Sequence, residues 1–320
     1  ALMAATTAPA WVAAARARAT CAPAAPRMAL LLGGERVGSV DGQIFNKIGL
    51  QRLLDKRCQL SIVEYEGAPA WALAADDATA ALNDLALTLR AAGRCGPWRD
   101  EQLAVCAADG RRLATVERGA ARVLGLATQA VHLVGCTADG AAMWVQQRAH
   151  SKSSNPGMWD TLMGGMVSAA DTLQQALERE TWEEAGLRLP ELLGSEHGGQ
   201  VDFSRPSREG GGVGYMVERI DWFRCTVPEG LEPRNQDGEV ERFELWSPAQ
   251  VRECIAAGKF TLEAALVLGA IPFVSLLWGM AKGGTDYTVR RVVLRFPNLP
   301  ASFDGFTLLQ ISDLHTGSFH

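Results

Sequence analysis

None of the seven cysteines (Cys21, Cys58, Cys95, Cys106, Cys136, Cys225 and Cys254) forms a C-x-x-C pair with another, and their number is odd. Such scatter excludes a disulfide scaffold and a structural zinc site, and makes a reducing cytoplasm the expected compartment. Positive charge is not in excess. The formal net charge is -5 at pH 7, which leaves no basic footprint for nucleic acid. A glycine-rich loop followed by Lys and Ser or Thr is missing as well, which argues against a P-loop phosphotransferase. Long apolar runs are scarce: residues 264–281 (AALVLGAIPFVSLLWGMA) carry no charge and stand at the lower length limit for a membrane span.

What remains is ordinary for a soluble globular protein, with 48% hydrophobic and 21% charged residues, and 320 residues suffice for two modest domains. One segment is not ordinary. Residues 165–187, GMVSAADTLQQALERETWEEAGL, pack Arg179, Glu180, Glu183 and Glu184 into a short stretch of expected helix. Thr172 with Gln175 three residues on makes a capping box. Leu173, Ala176 and Leu177 supply an apolar stripe at helical spacing, and Gly186 is placed to end the helix. Residues three and four apart share a helix face, so Glu180, Glu183 and Glu184 aim three carboxylates at one small volume, which is repulsive unless a cation sits there. Hard oxygen donors of this kind suit Mg2+ or Mn2+ together with the phosphate oxygens of a substrate. Arg179, four residues before Glu183, is placed to pair with it and hold its carboxylate in one rotamer. For an isolated E-x-x-E-E the competing reading is a solvated acidic face.

This segment resembles the Nudix box, G-x5-E-x7-R-E-U-x-E-E-x-G-U, in which U is a bulky aliphatic residue. Gly165, Arg179, Glu180, Glu183, Glu184, Gly186 and Leu187 match in register. Asp171 stands where the family has its first Glu, and Thr181 where it has an aliphatic residue. One methylene shorter than Glu, Asp171 is better suited to holding a ligand in place than to ligating. Thr181 is expected only to soften packing. The flanks WVQQR (144–148), HSKSSNPGMWDTLMGGMV (150–167), VGYMVERIDWFRCT (213–226) and NQDGEVERFELWSP (235–248) narrow the resemblance, as do the upstream GPWRDE (96–101), ERGAARVLGL (117–126) and VHLVG (131–135). Together they are similar to the Nudix subfamily described as thiamin pyrophosphokinase-related, over roughly residues 30–268. The resemblance implies an α/β protein: a Nudix α/β/α sandwich with a mixed sheet, preceded by a small α/β domain. It also implies hydrolysis of a diphosphate ester, thiamin diphosphate or a damaged analogue, to the monophosphate and phosphate.

The residues themselves support metal-assisted attack of water on a small-molecule diphosphate. Glu180, Glu183 and Glu184 are the expected metal ligands, Glu184 or a later carboxylate is a candidate proton acceptor, and Arg179 is the orienting residue. The resemblance implies a further acidic residue from a later loop. Glu239 is the first choice and Glu241 the second, against the reading of a solvated loop glutamate. Arg148 and Lys152, where an expected strand runs into a loop, are candidate diphosphate-binding cations, surface solubility being the alternative. Gly157, Gly164 and Gly165 are expected to allow tight turns and close backbone approach to substrate. Trp159, Trp182, Trp222 and Trp246 are candidate stacking partners for a heterocycle, with core or rim packing as the competing role. His132, in an apolar strand-like run, is expected in the core.

Along the chain, residues 1–30 form an Ala-rich leader with several Arg and no acid, a composition shared by transit peptides and frayed helices. Residues 31–126, with RVGSV, QLSIVEY and a helical stretch around 78–92, read as a small N-terminal α/β domain. The Nudix-like domain follows at 127–268. Residues 269–284 are an apolar segment and candidate membrane helix, so that membrane contact is expected only through 271–281. Residues 285–320 resemble the truncated opening of a calcineurin-like metallophosphoesterase: Asp313 and His315 match its D-x-H motif but cannot complete a two-metal site. Three function classes result. They are a Mg2+- or Mn2+-dependent diphosphate hydrolase, a non-catalytic Nudix-fold binding module allowed by the Asp171 departure, and a fragment of a membrane-anchored phosphoesterase fusion.

Overall fold

The structure, a computed structural model, describes residues 10–47 and 58–269. The expectations for 271–281 and 285–320, Asp313 and His315 included, lie outside the described residues. Helix α1 (Ala10–Ala19) precedes a four-stranded sheet built from β1 (Arg27–Leu32), β2 (Glu35–Asp41), β3 (Cys58–Tyr65) and β4 (Ala68–Ala75) in the order β2-β1-β4-β3. The short helix α2 (Ile44–Lys47), the long helix α3 (Ala78–Ala91), the hairpin of β5 (Gln102–Cys106) and β6 (Arg112–Glu117), and the single turn α4 (Arg118–Ala121) complete the N-terminal unit.

Helix α3 forms where the sequence caps and stripes it. The Asp77 carboxylate accepts a hydrogen bond from the Ala80 N–H at 2.9 Å, and Leu82, Leu85 and Leu89 recur on one face. That face meets Leu30, Trp71, Leu73, Val116 and Leu124 in a single core. The expected strands and helix are therefore present, but one boundary moves. Strand β1 starts at Arg27, inside the expected leader, because RMALLL is paired on both sides, antiparallel to β2 and parallel to β4. Helix α1 is likewise docked rather than frayed. Ala15 and Ala19 belong to the core of the second unit, and Tyr215 Oη donates to the Cys21 carbonyl at 2.8 Å.

The second unit is a seven-stranded mixed sheet. Its strands are β7 (Ala127–Cys136), β8 (Met143–Arg148), β9 (Trp159–Asp160), β10 (Met163–Met166), β11 (Leu193–Ser207), β12 (Gly214–Thr226) and β13 (Val240–Trp246). The order is β11-β12-β7-β8-β13, with β10 on β7 and β9 on β8, and β12 runs parallel to β7. Side chains alternate across the sheet. Val131 and Leu133 of β7 therefore face Leu177 and Ala185 of helix α5 (Leu173–Ala185), while Ala130 and Val134 face Ile255 of the later helix and Leu266. Further helical segments follow α5 in the chain, among them the turn α6 (Glu209–Gly212), α7 (Pro248–Ala256), which carries Ile255, and a helix over 262–269, which carries Leu266. The result is helix on both faces of a mixed sheet, as expected. Among the described residues no helix is long and apolar enough to cross a membrane. The hairpin β5–β6 abuts the loop that leads into α5: Ala169 N–H donates to the Gln102 carbonyl at 2.7 Å, and Arg112 Nη1 donates to the Ala169 carbonyl at 2.7 Å.

Candidate active site

Local sequence fixes the helix that carries the acidic residues. Thr172 Oγ1 accepts from the Gln175 N–H at 3.2 Å, and Gln175 Oε1 accepts from the Thr172 N–H at 2.9 Å, closing the capping box. Gly186 ends the helix with φ of 63°, a conformation glycine adopts without a Cβ penalty. Thr181 is fully buried, and its hydroxyl donates to the Leu177 carbonyl at 2.6 Å. The polar residue is thus tolerated at an apolar position because its hydrogen bond stays inside the helix.

Arg179 is the hub of the cluster. Its guanidinium reaches Asp171 at 2.8 Å, Glu180 at 2.9 Å and Glu183 at 3.0 Å. Glu184 is buried. It accepts from Gln146 Nε2 at 2.8 Å and from the Gly164 N–H at 3.0 Å, with Lys152 Nζ 3.6 Å away. The expected convergence of three carboxylates is not what the chain adopts: Glu183 is 43% exposed and turned to Arg179, one helical turn earlier. Among the described residues no three His, Cys, Asp or Glu side chains gather as metal ligands. Protein side chains pack closely at the three glycines. A Cβ on Gly165 would stand 1.9 Å from Glu180 Cδ, one on Gly164 2.7 Å from the His132 ring, and one on Gly157 2.6 Å from the His150 ring. These side chains crowd the glycine Cα atoms, while Gly164 and Gly165 also border the cavity.

Burial and like charge set the proton affinities. Desolvation, and after it the charge of Glu184, push the Glu180 carboxyl up to about 8 against the pull of Arg179. Burial also raises Glu184, opposed by Lys152, the Gly164 N–H and Gln146. Burial pushes Glu239 up too, but its hydrogen bond and charge interaction with Lys152, aided by Arg99 and Arg118, bring it below the ordinary carboxylate range. Buried Glu184, whose charge opposes the ionisation of the largely buried Glu180, forms with it a donor set whose chemistry fits a divalent cation.

A cavity of about 400 Å3 collects these groups. Glu180, Glu183, Glu184, Arg179, Gly165 and Glu239 line it, and so do Arg148 and Lys152. Asp171 and Glu241 do not; Asp171 meets the cluster only through Arg179. Both cations are already engaged, Arg148 Nη1 with Asp160 at 3.6 Å and Lys152 with Glu239. None of the four candidate tryptophans lines the cavity. Trp159 and Trp222 are core residues, Trp246 packs on Trp159 at 4.3 Å between ring centroids, and Trp182 lies outside under Arg188. His132 is buried as expected, its Nδ1 2.9 Å from Thr161 Oγ1. Sequence reasoning missed the far walls: Asp160, Glu218 and Glu263 from the second unit, and Arg99, Arg118 and Arg122 from the first. The GPWRDE and ERGAARVLGL segments were the available signal for the three arginines.

Residues 127–266 match the family described as "NUDIX domain". Nudix hydrolase 20, chloroplastic, of Arabidopsis thaliana is 32% identical over 150 residues, covering 46% of this chain and 38% of its own length. Nudix hydrolase 24, chloroplastic, of the same plant is 30% identical over 150 residues, covering 46% and 40%. The chain thus spans well under two thirds of either relative. The crystal structure of DR0079 from Deinococcus radiodurans is 18% identical with a TM-score of 0.42, covering 53% of this chain and 98% of that one. Residues 127–266 are a Nudix domain of the α/β class, with named Nudix hydrolases among their relatives.

Proposed function

We propose that the protein is a divalent-metal-dependent hydrolase of the thiamin pyrophosphokinase-related Nudix kind, acting on thiamin diphosphate or a damaged analogue to give the monophosphate and phosphate. The observation that carries the diphosphate reading is the burial of Glu180 beside Glu184, in a cavity that also presents Arg148 and Lys152. The thiamin part rests on the flanking motifs. Glu180, Glu183, Glu184 and Glu239 would hold Mg2+ or Mn2+. The bound ion would neutralise phosphate charge and lower the pKa of the attacking water. Arg179 holds Glu180 and Glu183 in place, itself held by Asp171, so that the carboxylates need little reorganisation. Lys152 and Arg148 bind phosphate oxygens, trading carboxylate partners for the substrate. Glu184, shielded from bulk solvent, accepts the proton of the attacking water. Cys21, Cys95, Cys106, Cys136, Cys225 and Cys254 are free thiols, and a cytoplasmic setting is part of this reading.

The test is a screen of thiamin diphosphate, its oxidised analogues, ADP-ribose and nucleoside diphosphates for monophosphate release with Mg2+ or Mn2+. Release is expected from the thiamin compounds and abolished by chelation. Glu183→Gln and Glu184→Gln should each lower turnover about 100- to 1,000-fold while circular dichroism stays unchanged. Tight binding with no release from any compound would make the chain a Nudix-fold binding module instead. Wild-type turnover in Glu184→Gln would remove it as proton acceptor.

A further inference from the structure

Six cationic side chains from lysine and arginine line the cavity, and five already face carboxylates. Arg118 meets Glu101 at 2.7 Å, Arg122 meets Glu209 at 3.1 Å, Arg148 meets Asp160 at 3.6 Å, Arg179 meets Asp171 at 2.8 Å, and Lys152 meets Glu239. Arg99 is the exception. Among the described residues no carboxylate stands within ion-pair distance of it, and its Nη2 donates to Ser153 Oγ at 2.9 Å, beside Lys152. A guanidinium carries five N–H donors, and among the described residues Ser153 is the acceptor that meets this one.

The backbone that carries Arg99 is held firmly. The Glu117 carboxylate, on a residue only 1% exposed, accepts from the N–H groups of Arg99 at 2.7 Å, Glu101 at 3.2 Å and Gly119 at 3.3 Å. Asp100 takes the left-handed conformation (φ 54°) that closes the turn, and its Oδ1 accepts from Trp98 Nε1 at 2.7 Å. With the backbone so fixed, only the Arg99 side chain is left to order on binding an anion.

We propose that Arg99 is a substrate-binding residue supplied by the N-terminal unit, and that it engages a phosphate group of the diphosphate across the cavity mouth, next to Lys152. The planar guanidinium suits phosphate oxygens bidentately, which the point charge of Lys152 does not. The N-terminal unit then completes the binding site of the Nudix domain rather than merely preceding it. This inference rests on the diphosphate reading given above.

Calorimetric titration of the full chain with inorganic pyrophosphate in Mg2+ tests it without requiring turnover. Arg99→Ala is expected to weaken binding about 10-fold and to flatten its salt dependence, with Arg99→Lys recovering part of both. Affinity in Arg99→Ala equal to wild type, or no pyrophosphate binding by the wild type, would overturn the inference. So would equal losses in Arg99→Ala and Arg99→Lys with unchanged salt dependence, which would reduce Arg99 to a bridge to Ser153. The two readings separate cleanly: pyrophosphate bound through Arg99 with no hydrolysis of any diphosphate defeats the hydrolase reading alone. Hydrolysis unaffected by Arg99→Ala defeats this inference alone.

Discussion

Glu180 occupies space that a side chain on Gly165 would take. An added Cβ would fall 1.9 Å from Glu180 Cδ, so Gly165→Ala must drive the carboxylate away from its place beside Glu184. Because misplacing a reacting group by about 1 Å costs on the order of 100-fold in rate, turnover should drop about 10- to 100-fold. The thermal midpoint should change little, since the displaced side chain faces the cavity. Steady-state kinetics beside a melting curve would check this, and full activity in the variant would show that the position of Glu180 does not matter to the chemistry. Much of this cluster was legible in the sequence, because Arg179, Glu180, Glu183 and Glu184 lie on consecutive turns of one helix. What was not legible is which carboxylates are buried. That depends on Gln146 and Gly164, which reach Glu184 only when β8 and β10 take their places in the sheet.

At the scale of elements, capping decides α5 and a single carboxylate ties the sheet edge. Thr172, Gln175 and Gly186 are local signals, so the ends of α5 could be read directly. Strand β11 could not: LGSEHGGQVDFSRPS contains Gly198, Gly199 and Pro206 and shows no clean alternation. It is a strand because β12 pairs with it through two register shifts and Trp222 covers Gly198, where a Cβ would lie 2.0 Å from the indole. Asp221 of β12 then accepts from Gln200 Nε2 at 2.8 Å and faces His197 Nε2 at 3.0 Å, both on β11, and accepts from Gln129 Nε2 at 2.8 Å on β7. Burial pushes this carboxyl up, but the bonds from Gln129, Gln200 and His197 outweigh it and leave the pKa lowered. A depressed folded pKa means that the unfolded chain binds the proton more readily. The stabilisation is therefore present above the ordinary carboxylate range and is lost as pH falls through the lowered value. Urea unfolding at a series of acidic pH values should show a steeper loss of stability for the wild type than for Asp221→Asn. Parallel curves would show that the three-strand tie is not linked to the proton.

Across the whole molecule, the cavity is a joint product of two units that a reading of domain boundaries keeps apart. The Nudix domain supplies three cations and every lining carboxylate except Glu101, while Arg99, Arg118 and Arg122 arrive from the unit before it. The contact of Arg99 with Ser153 spans 54 positions of sequence, a separation over which periodicity and spacing carry no signal. The α/β class and the box helix were readable; the docking of α1 was not, because an alanine-rich run shows no stripe to say what it covers. Trp11 of that helix lies against Gly269, where an added Cβ would meet the indole at 2.9 Å. The first and last described segments thus close the fold into a ring, and the order in which the chain visits its elements becomes separable from the shape they make. A version of residues 10–269 joined by a short flexible linker across this contact, and reopened at the exposed Glu229–Gly230 turn, should fold with its circular dichroism intact and melt within about 5 °C of the parent. Failure to fold would mean that the native order of synthesis, and not only the native contacts, is required to seat α1.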